Sequence, residues 1–176
     1  YRESDRLGGY EAYGTSKACA ELIAAAYQEP AFQQHAEPPS RLPVATGRAG
    51  NAIGGGDWAT DRIVPDLMRA IARHESLVIR YPAARRPWQH ALEALSGYLW
   101  LGQCLVERPD QNATAWNFGP HEGEMLTVEQ IVRFVQQHWP APDLPVTFAP
   151  VQSEAEKLIL GVDCSRARHR LGWRTT

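Results

Sequence analysis

Tyr13 and Lys17 stand four residues apart. That spacing projects both side chains from one face of a helix, one turn from each other. A phenol with an ordinary pKa of about 10 is a poor base at neutral pH. A lysine ammonium held beside a phenol favours its phenolate. The pair therefore suits a proton acceptor for a sugar or alcohol hydroxyl. The same spacing arises by chance on many surface helices, so the surrounding segments must decide between the two readings.

Two further segments carry groups for a ligand. Arg48 to Trp58 is rich in glycine, with Gly50, Gly54, Gly55 and Gly56 beside Asn51 and Asp57. Glycine lets backbone approach a ligand closely, and the Asn51 amide can serve a hydroxyl or a phosphate. The alternative is a plain turn. In Arg85-Arg86-Pro87-Trp88-Gln89-His90 the two arginines suit a pyrophosphate, because guanidinium binds phosphate oxygens in pairs. Trp88 can stack or pack, and His90 can bond a base or a hydroxyl. The alternative there is a solvated basic turn around a core tryptophan. His35, His74, His121, His138 and His169 lack metal-ligand spacing and read as surface residues, and no metal is expected. Glu154, Glu156 and Lys157 read as a solvated face. Asn117, at the end of an apolar strand, can hold a neighbouring loop.

The elements that position these residues follow from periodicity. Tyr10 to Tyr27 is alanine-rich and reads as a helix with Leu22, Ile23, Ala26 and Tyr27 on one face. Residues 30–43 are broken by proline into a surface loop. Pro43 to Arg48 reads as a buried parallel strand, followed by a glycine loop from Ala49 to Trp58. Pro65 begins a helix to about His74. Leu77 to Arg80 is a strand, Arg85 to His90 a loop or strand entry, and Leu92 to Val106 a helix. Ala115 to Phe118 is a strand ended by Gly119-Pro120. Thr127 caps a helix to His138, Val146 to Phe148 is a strand, and Asp163 to Leu171 is a helix closed by Gly172. Strands alternating with helices indicate an α/β protein with a mostly parallel sheet.

Composition narrows the classes. With 176 residues, 44% hydrophobic and 22% charged, the chain can build one domain or pieces of two. A net charge of −2 gives no electrostatic attraction to nucleic acid or to an anionic membrane. Three scattered cysteines, Cys19, Cys104 and Cys164, fit buried thiols in a reducing cytoplasm rather than a disulfide framework or a zinc cluster. No apolar run is long enough for a transmembrane helix, and no signal peptide is visible. The chain opens on Tyr1-Arg2-Glu3 and stops at Arg174-Thr175-Thr176, so both ends read as cuts through a larger protein.

In order, Tyr13-x-x-x-Lys17, Arg48-Ala49-Gly50-Asn51-x-x-Gly54-Gly55-Gly56, Arg86-Pro87-Trp88-Gln89-His90 and Trp116-Asn117-Phe118-Gly119-Pro120 are similar to motifs of the extended short-chain dehydrogenase/reductases, the NAD-dependent epimerase/dehydratase family. Gly50 to Trp58 and Arg86 to His90, with Leu95-Ser96-Gly97-Tyr98 following, resemble the branch of that family that dehydrates CDP-glucose. Thymidine-sugar branches usually carry Arg-Asp where this chain has Arg-Pro-Trp.

The resemblance implies part of an NAD(P)-binding Rossmann-like doubly wound parallel sheet plus a smaller α/β substrate domain. Residues 1–60 would complete the cofactor domain and 61–176 would mainly build the substrate domain, with 85–106 returning to the former. It implies NAD as cofactor and CDP-glucose or a similar nucleotide sugar as substrate. NAD would take hydride from C4 of the glucose while Tyr13, aided by Lys17, accepts the 4-hydroxyl proton. Water would leave from C6 and the hydride would return there. Tyr13, Lys17, Arg48 and Gly50 would contact the cofactor, and Asn51, Arg86 and His90 the substrate. The resemblance also implies a homodimer with Glu21 to Gln28 near the partner. The glycine turn that grips the NAD pyrophosphate and the acid and base of elimination would precede residue 1, leaving this chain inactive alone. A nucleotide-sugar epimerase and a non-catalytic remnant are the competing expectations.

Overall fold

A computed structural model describes residues 1–9, 11–29, 42–139, 145–149 and 159–175. Tyr10, His35, most of the expected loop at 30–43 and the run Glu154, Glu156 and Lys157 lie outside the described residues. In chain order the elements are α1 (Ala12–Ala26), β1 (Thr46–Ala49), β2 (Asn51–Ile53), α2 (Ile63–Arg73), β3 (Leu77–Ile79), β4 (Arg85–Arg86), β5 (Trp88–His90) and α3 (Ala91–Glu107). There follow a short α4 (Pro109–Asn112), β6 (Ala115–Phe118), a 3-10 turn (Glu122–Glu124), β7 (Leu126–Thr127), α5 (Val128–His138), β8 (Val146–Phe148) and a last helical turn (Ala167–Leu171). Among the described residues no helix is long and apolar enough to cross a membrane.

The chain forms two compact units. The first comprises Tyr1–Ala49, Glu93–Gly119 and Val162–Thr176, and the second Gly50–Leu92 and Pro120–Gly161.

In the first unit β1 pairs with β6 in parallel, Thr46 opposite Ala115 and Ala49 opposite Phe118. Trp116 and Phe118 of β6 are fully buried against Leu101 and Cys104 of α3 and against Ala167, Leu171 and Trp173. Gly97 makes this packing possible. A Cβ there would sit 2.5 Å from a ring carbon of Phe118, so only glycine lets the helix lie on that ring. Two indoles then fasten the end of the chain to α3: Trp100 Nε1 donates to the Leu171 carbonyl (2.6 Å) and Trp173 Nε1 to Ser96 Oγ (3.2 Å). Asn117 is buried. Its N–H donates to Glu3 Oε1 (2.9 Å) and its Nδ2 to the carbonyls of Tyr1 and Asp163 (both 3.1 Å), which holds the segment at residue 1 in place.

Helix α1 has strong helix formers but little buried surface. Only Ala18 is buried, while Leu22, Ile23 and Tyr27 are each more than half exposed. The apolar stripe expected from the sequence is present, and the described residues do not cover it. Cys19 lies on this helix and is exposed, contrary to the expectation of three buried thiols; Cys104 and Cys164 are buried.

The second unit packs α2 and α5 on the parallel pair β3–β8, around Leu67, Ile79 and Val132. The cap expected at Thr127 is complete. Gln130 N–H donates to Thr127 Oγ1 (3.1 Å), and Thr127 N–H donates to Gln130 Oε1 (2.8 Å), a reciprocal pair that satisfies two orphan amides. β4 pairs antiparallel with β7. The expected glycine loop from Ala49 to Trp58 is corrected at its start. Residues Asn51–Ile53 are the strand β2, paired in parallel with β5. The ladder begins where Asn51 N–H donates to the Pro87 carbonyl at 2.8 Å. Arg85 to His90, expected as a loop or strand entry, holds the two short strands β4 and β5.

Candidate functional site

The residues singled out from the sequence fall into one group in each unit. In the first unit, Glu11 caps α1: its carboxylate accepts the N–H of Tyr13 (2.7 Å) and of Gly14 (2.6 Å). An acidic side chain at this end also suits the helix dipole. Ser16 Oγ donates to the Tyr13 carbonyl (2.7 Å) and Thr15 Oγ1 to the Gly9 carbonyl (3.2 Å). These bonds fix the first turn, and so the place from which Tyr13 projects. Its phenol is 71% exposed, and Lys17 Nζ stands 5.4 Å from the ring centroid. The expected pairing of phenol and ammonium on one helix face is present.

One turn further along that face is Glu21, whose carboxylate receives Arg48 with Nε–Oε1 at 2.6 Å and Nη2–Oε2 at 2.5 Å. Both side chains are largely buried. Arg48 is thus engaged by α1 and fixes that helix to β1. Neither Glu11 nor Glu21 was singled out from the sequence. Glu21 carried a usable signal, since it continues the spacing of Tyr13 and Lys17 by another four residues.

In the second unit the register of β2 on β5 sets Asn51 opposite Trp88, Ala52 opposite Gln89 and Ile53 opposite His90. Side chains alternate along a strand. Asn51, Ile53, Trp88 and His90 therefore share one face, and Ala52 and Gln89 the other, where Gln89 is buried. The two segments picked out separately as ligand-binding are neighbours in a single strand pair. Trp88 packs: it is half-buried and its Nε1 donates to the Leu126 carbonyl at 3.0 Å. Arg86 is half-buried in β4, with Nη1 donating to the Arg85 carbonyl (3.0 Å). His90 is exposed, and its Nδ1 accepts the N–H of Leu92 at 3.2 Å.

Gly50 is accounted for by packing. A Cβ on it would lie 2.3 Å from the Pro87 carbonyl oxygen, so a side chain would force β2 off β5. Past β2 the chain is braced by charges. Asp57 accepts the Ala59 N–H (3.0 Å) and pairs with Arg62 (2.9 Å). These two bonds, the Ala59 amide first, hold its carboxyl below the usual carboxylate range. Arg69 donates to the carbonyls of Trp58 (2.7 Å) and Ala59 (3.1 Å). Trp58 is 64% exposed on this fixed segment.

Parallel strand pairs alternate with helices along the chain. The fold is that of part of the Rossmann-like sugar-nucleotide dehydratases and epimerases. The chain superposes on a dTDP-glucose 4,6-dehydratase from Streptomyces venezuelae, solved with NAD bound, at a TM-score of 0.74 and 18% identity, covering 100% of this chain and 49% of that one. On a UDP-glucose 4-epimerase from Thermotoga maritima, solved with UDP-glucose, the TM-score is 0.75 at 18% identity, covering 99% of this chain and 52% of that one. In sequence the chain is 40% identical over 173 residues to the CDP-glucose 4,6-dehydratase of Salmonella typhimurium, covering 98% of this chain and 48% of that protein. It is a homologue of that enzyme along its own length, and it spans about half the length of these relatives. No family model matches the chain.

Proposed function

We propose that the complete protein is an NAD-dependent lyase that converts CDP-glucose to CDP-4-keto-6-deoxyglucose and water. One observation carries the substrate: 40% identity to a CDP-glucose 4,6-dehydratase over 98% of this chain. Fold alone does not separate this from epimerisation, since the epimerase and dehydratase neighbours have TM-scores of 0.75 and 0.74 at the same 18% identity.

The residues present suit the nicotinamide end of NAD. An exposed phenol beside an ammonium, 5.4 Å from ring centroid to Nζ, offers donors for a ribose diol and an acceptor for a substrate proton. NAD, when bound, supplies a hydride acceptor that later becomes the donor, so none is consumed. Tyr13 takes the proton of the sugar 4-hydroxyl at Oη, with the Lys17 ammonium beside its ring. Asn51, Arg86 and His90 hold the sugar nucleotide, Arg86 by its charge on the diphosphate. Arg48 and Gly50, placed at the cofactor by resemblance, serve it by fixing α1 and the start of β2. Leu22, Ile23 and Tyr27 form the surface for a second copy, and sedimentation of the complete protein tests that dimer. The scattered thiols fit a reducing cytoplasm.

The deciding experiment gives CDP-glucose to the complete, NAD-loaded protein. A 4-keto sugar absorbing in the near ultraviolet after alkali, abolished by Tyr13→Phe, is expected. Folded protein that yields no keto product overturns the assignment, and interconversion of sugar epimers moves it to an epimerase.

A further inference from the structure

The bond from Leu92 N–H to His90 Nδ1, 3.2 Å long, settles more than a helix cap. A backbone amide can only donate. The ring nitrogen that receives it therefore carries no proton, and the neutral imidazole bears its proton on Nε2. The acceptor satisfies one of the orphan amides in the first turn of α3. His90 is exposed, and among the described residues no acceptor engages its Nε2. On the shared face of β2 and β5, Trp88 gives its indole N–H to Leu126, which leaves Asn51 and His90 as that face's hydrogen-bonding groups. Strand spacing puts these two about 8 Å apart on the diagonal, a separation that one sugar diphosphate spans.

We propose that His90 is a tautomer-locked donor: held by the Leu92 amide, it gives its Nε2–H to an anionic oxygen of the substrate diphosphate. This rests on the reading that the β2–β5 pair holds a nucleotide sugar. The choice of phosphate over hydroxyl follows from the chemistry of the groups. A neutral Nε2–H donates and cannot accept, which matches an oxygen that accepts and cannot donate. The Asn51 amide does both and suits a hydroxyl. Arg86, four residues before His90, adds the charge such an oxygen favours.

The test separates the two ring nitrogens. In protein labelled with 15N-histidine, the His90 nitrogen shifts report which one is protonated, and CDP is titrated in as the probe. His90→Asn keeps an acceptor where Nδ1 stands and removes the Nε2 donor. His90→Gln keeps a donor near Nε2 and removes the cap. The neutral ring is expected to carry its proton on Nε2, and that resonance is expected to move as CDP binds. His90→Asn should melt within about 2 °C of the parent and bind CDP about tenfold more weakly. His90→Gln should melt about 3 °C lower while retaining most of the affinity. A proton on Nδ1, an Nε2 resonance indifferent to CDP, or His90→Asn binding CDP like the parent overturns the proposal. Turnover of CDP-glucose is measured separately, so an unexpected sugar specificity leaves this result to stand or fall by itself.

Discussion

Arg48 meets Glu21 edge to edge, two nitrogens against two oxygens at 2.6 and 2.5 Å. The pair joins β1 to the helix that carries Tyr13 and Lys17. With Ala18 the one buried side chain of that helix, apolar packing contributes little to its placement. The side chains are 24% and 20% exposed, so the pair is shielded more than a surface ion pair, and removing one partner strands the other. Glu21→Ala and Arg48→Ala should each destabilise by about 1–3 kcal/mol, and the double variant should lose less than their sum. A denaturant double-mutant cycle measures this. Strictly additive losses would show that the two groups act separately.

Gly50→Ala should be costly for its size. The added methyl would meet the Pro87 carbonyl oxygen at 2.3 Å, and backbone is what must yield. A loss of about 1–3 kcal/mol is expected, read as a lower denaturation midpoint. An unchanged midpoint would mean that β2 and β5 separate freely.

Asp163 sets the acid limb of stability. Its carboxyl accepts from the Ser165 hydroxyl and from the Ser165 N–H (2.8 Å), then from Arg2 Nε (2.9 Å). These bonds lower its pKa from 3.8 to about 2. The folded pKa is depressed, so the stabilisation is fully present above about pH 4 and is lost as the pH falls through about 2. Asp163→Asn should flatten the acid-unfolding curve between those values. A variant curve parallel to the parent's would remove Asp163 from that account.

Thiol reagents should distinguish the cysteines. Cys19 is exposed, and Cys104 and Cys164 are buried. Burial pushes the Cys164 thiol up to about 11 and raises that of Cys104 as well, which keeps the unreactive form at neutral pH. Native protein treated with iodoacetamide should gain one adduct, at Cys19, and three after denaturation. Native labelling at Cys104 would mean that the core around Trp116 opens.

Local chemistry was legible in the sequence where a few adjacent residues decide the outcome. The Thr127–Gln130 cap, the buried strand at Trp116 and Phe118, and the Tyr13–Lys17 face all have that character. Partnerships between distant segments were not. Nothing near Asn51 announces that a three-residue strand pairs with Trp88, because the β2 ladder starts at the carbonyl of Pro87. Gly50 read as a place for a ligand, and its contact with Pro87 is visible only once the strands meet. Arg48 read as a ligand group, and its pairing with Glu21 is visible only once α1 lies against β1. The stripe of Leu22, Ile23 and Tyr27 was legible as apolar, but its exposure reflects what the described residues do not place against it.

The parity of β5 has a consequence for how such chains diverge. Because side chains alternate, deleting one residue between Pro87 and His90 would slip the register. The imidazole would turn to the side where Gln89 now lies buried, and the methyl of Ala91 would take its place outside. Point changes at Gln89 alter the packing underneath, whereas a change in the number of residues exchanges the two faces. A related chain that keeps the histidine but differs here by one residue in length therefore presents a different chemical surface, however similar its letters.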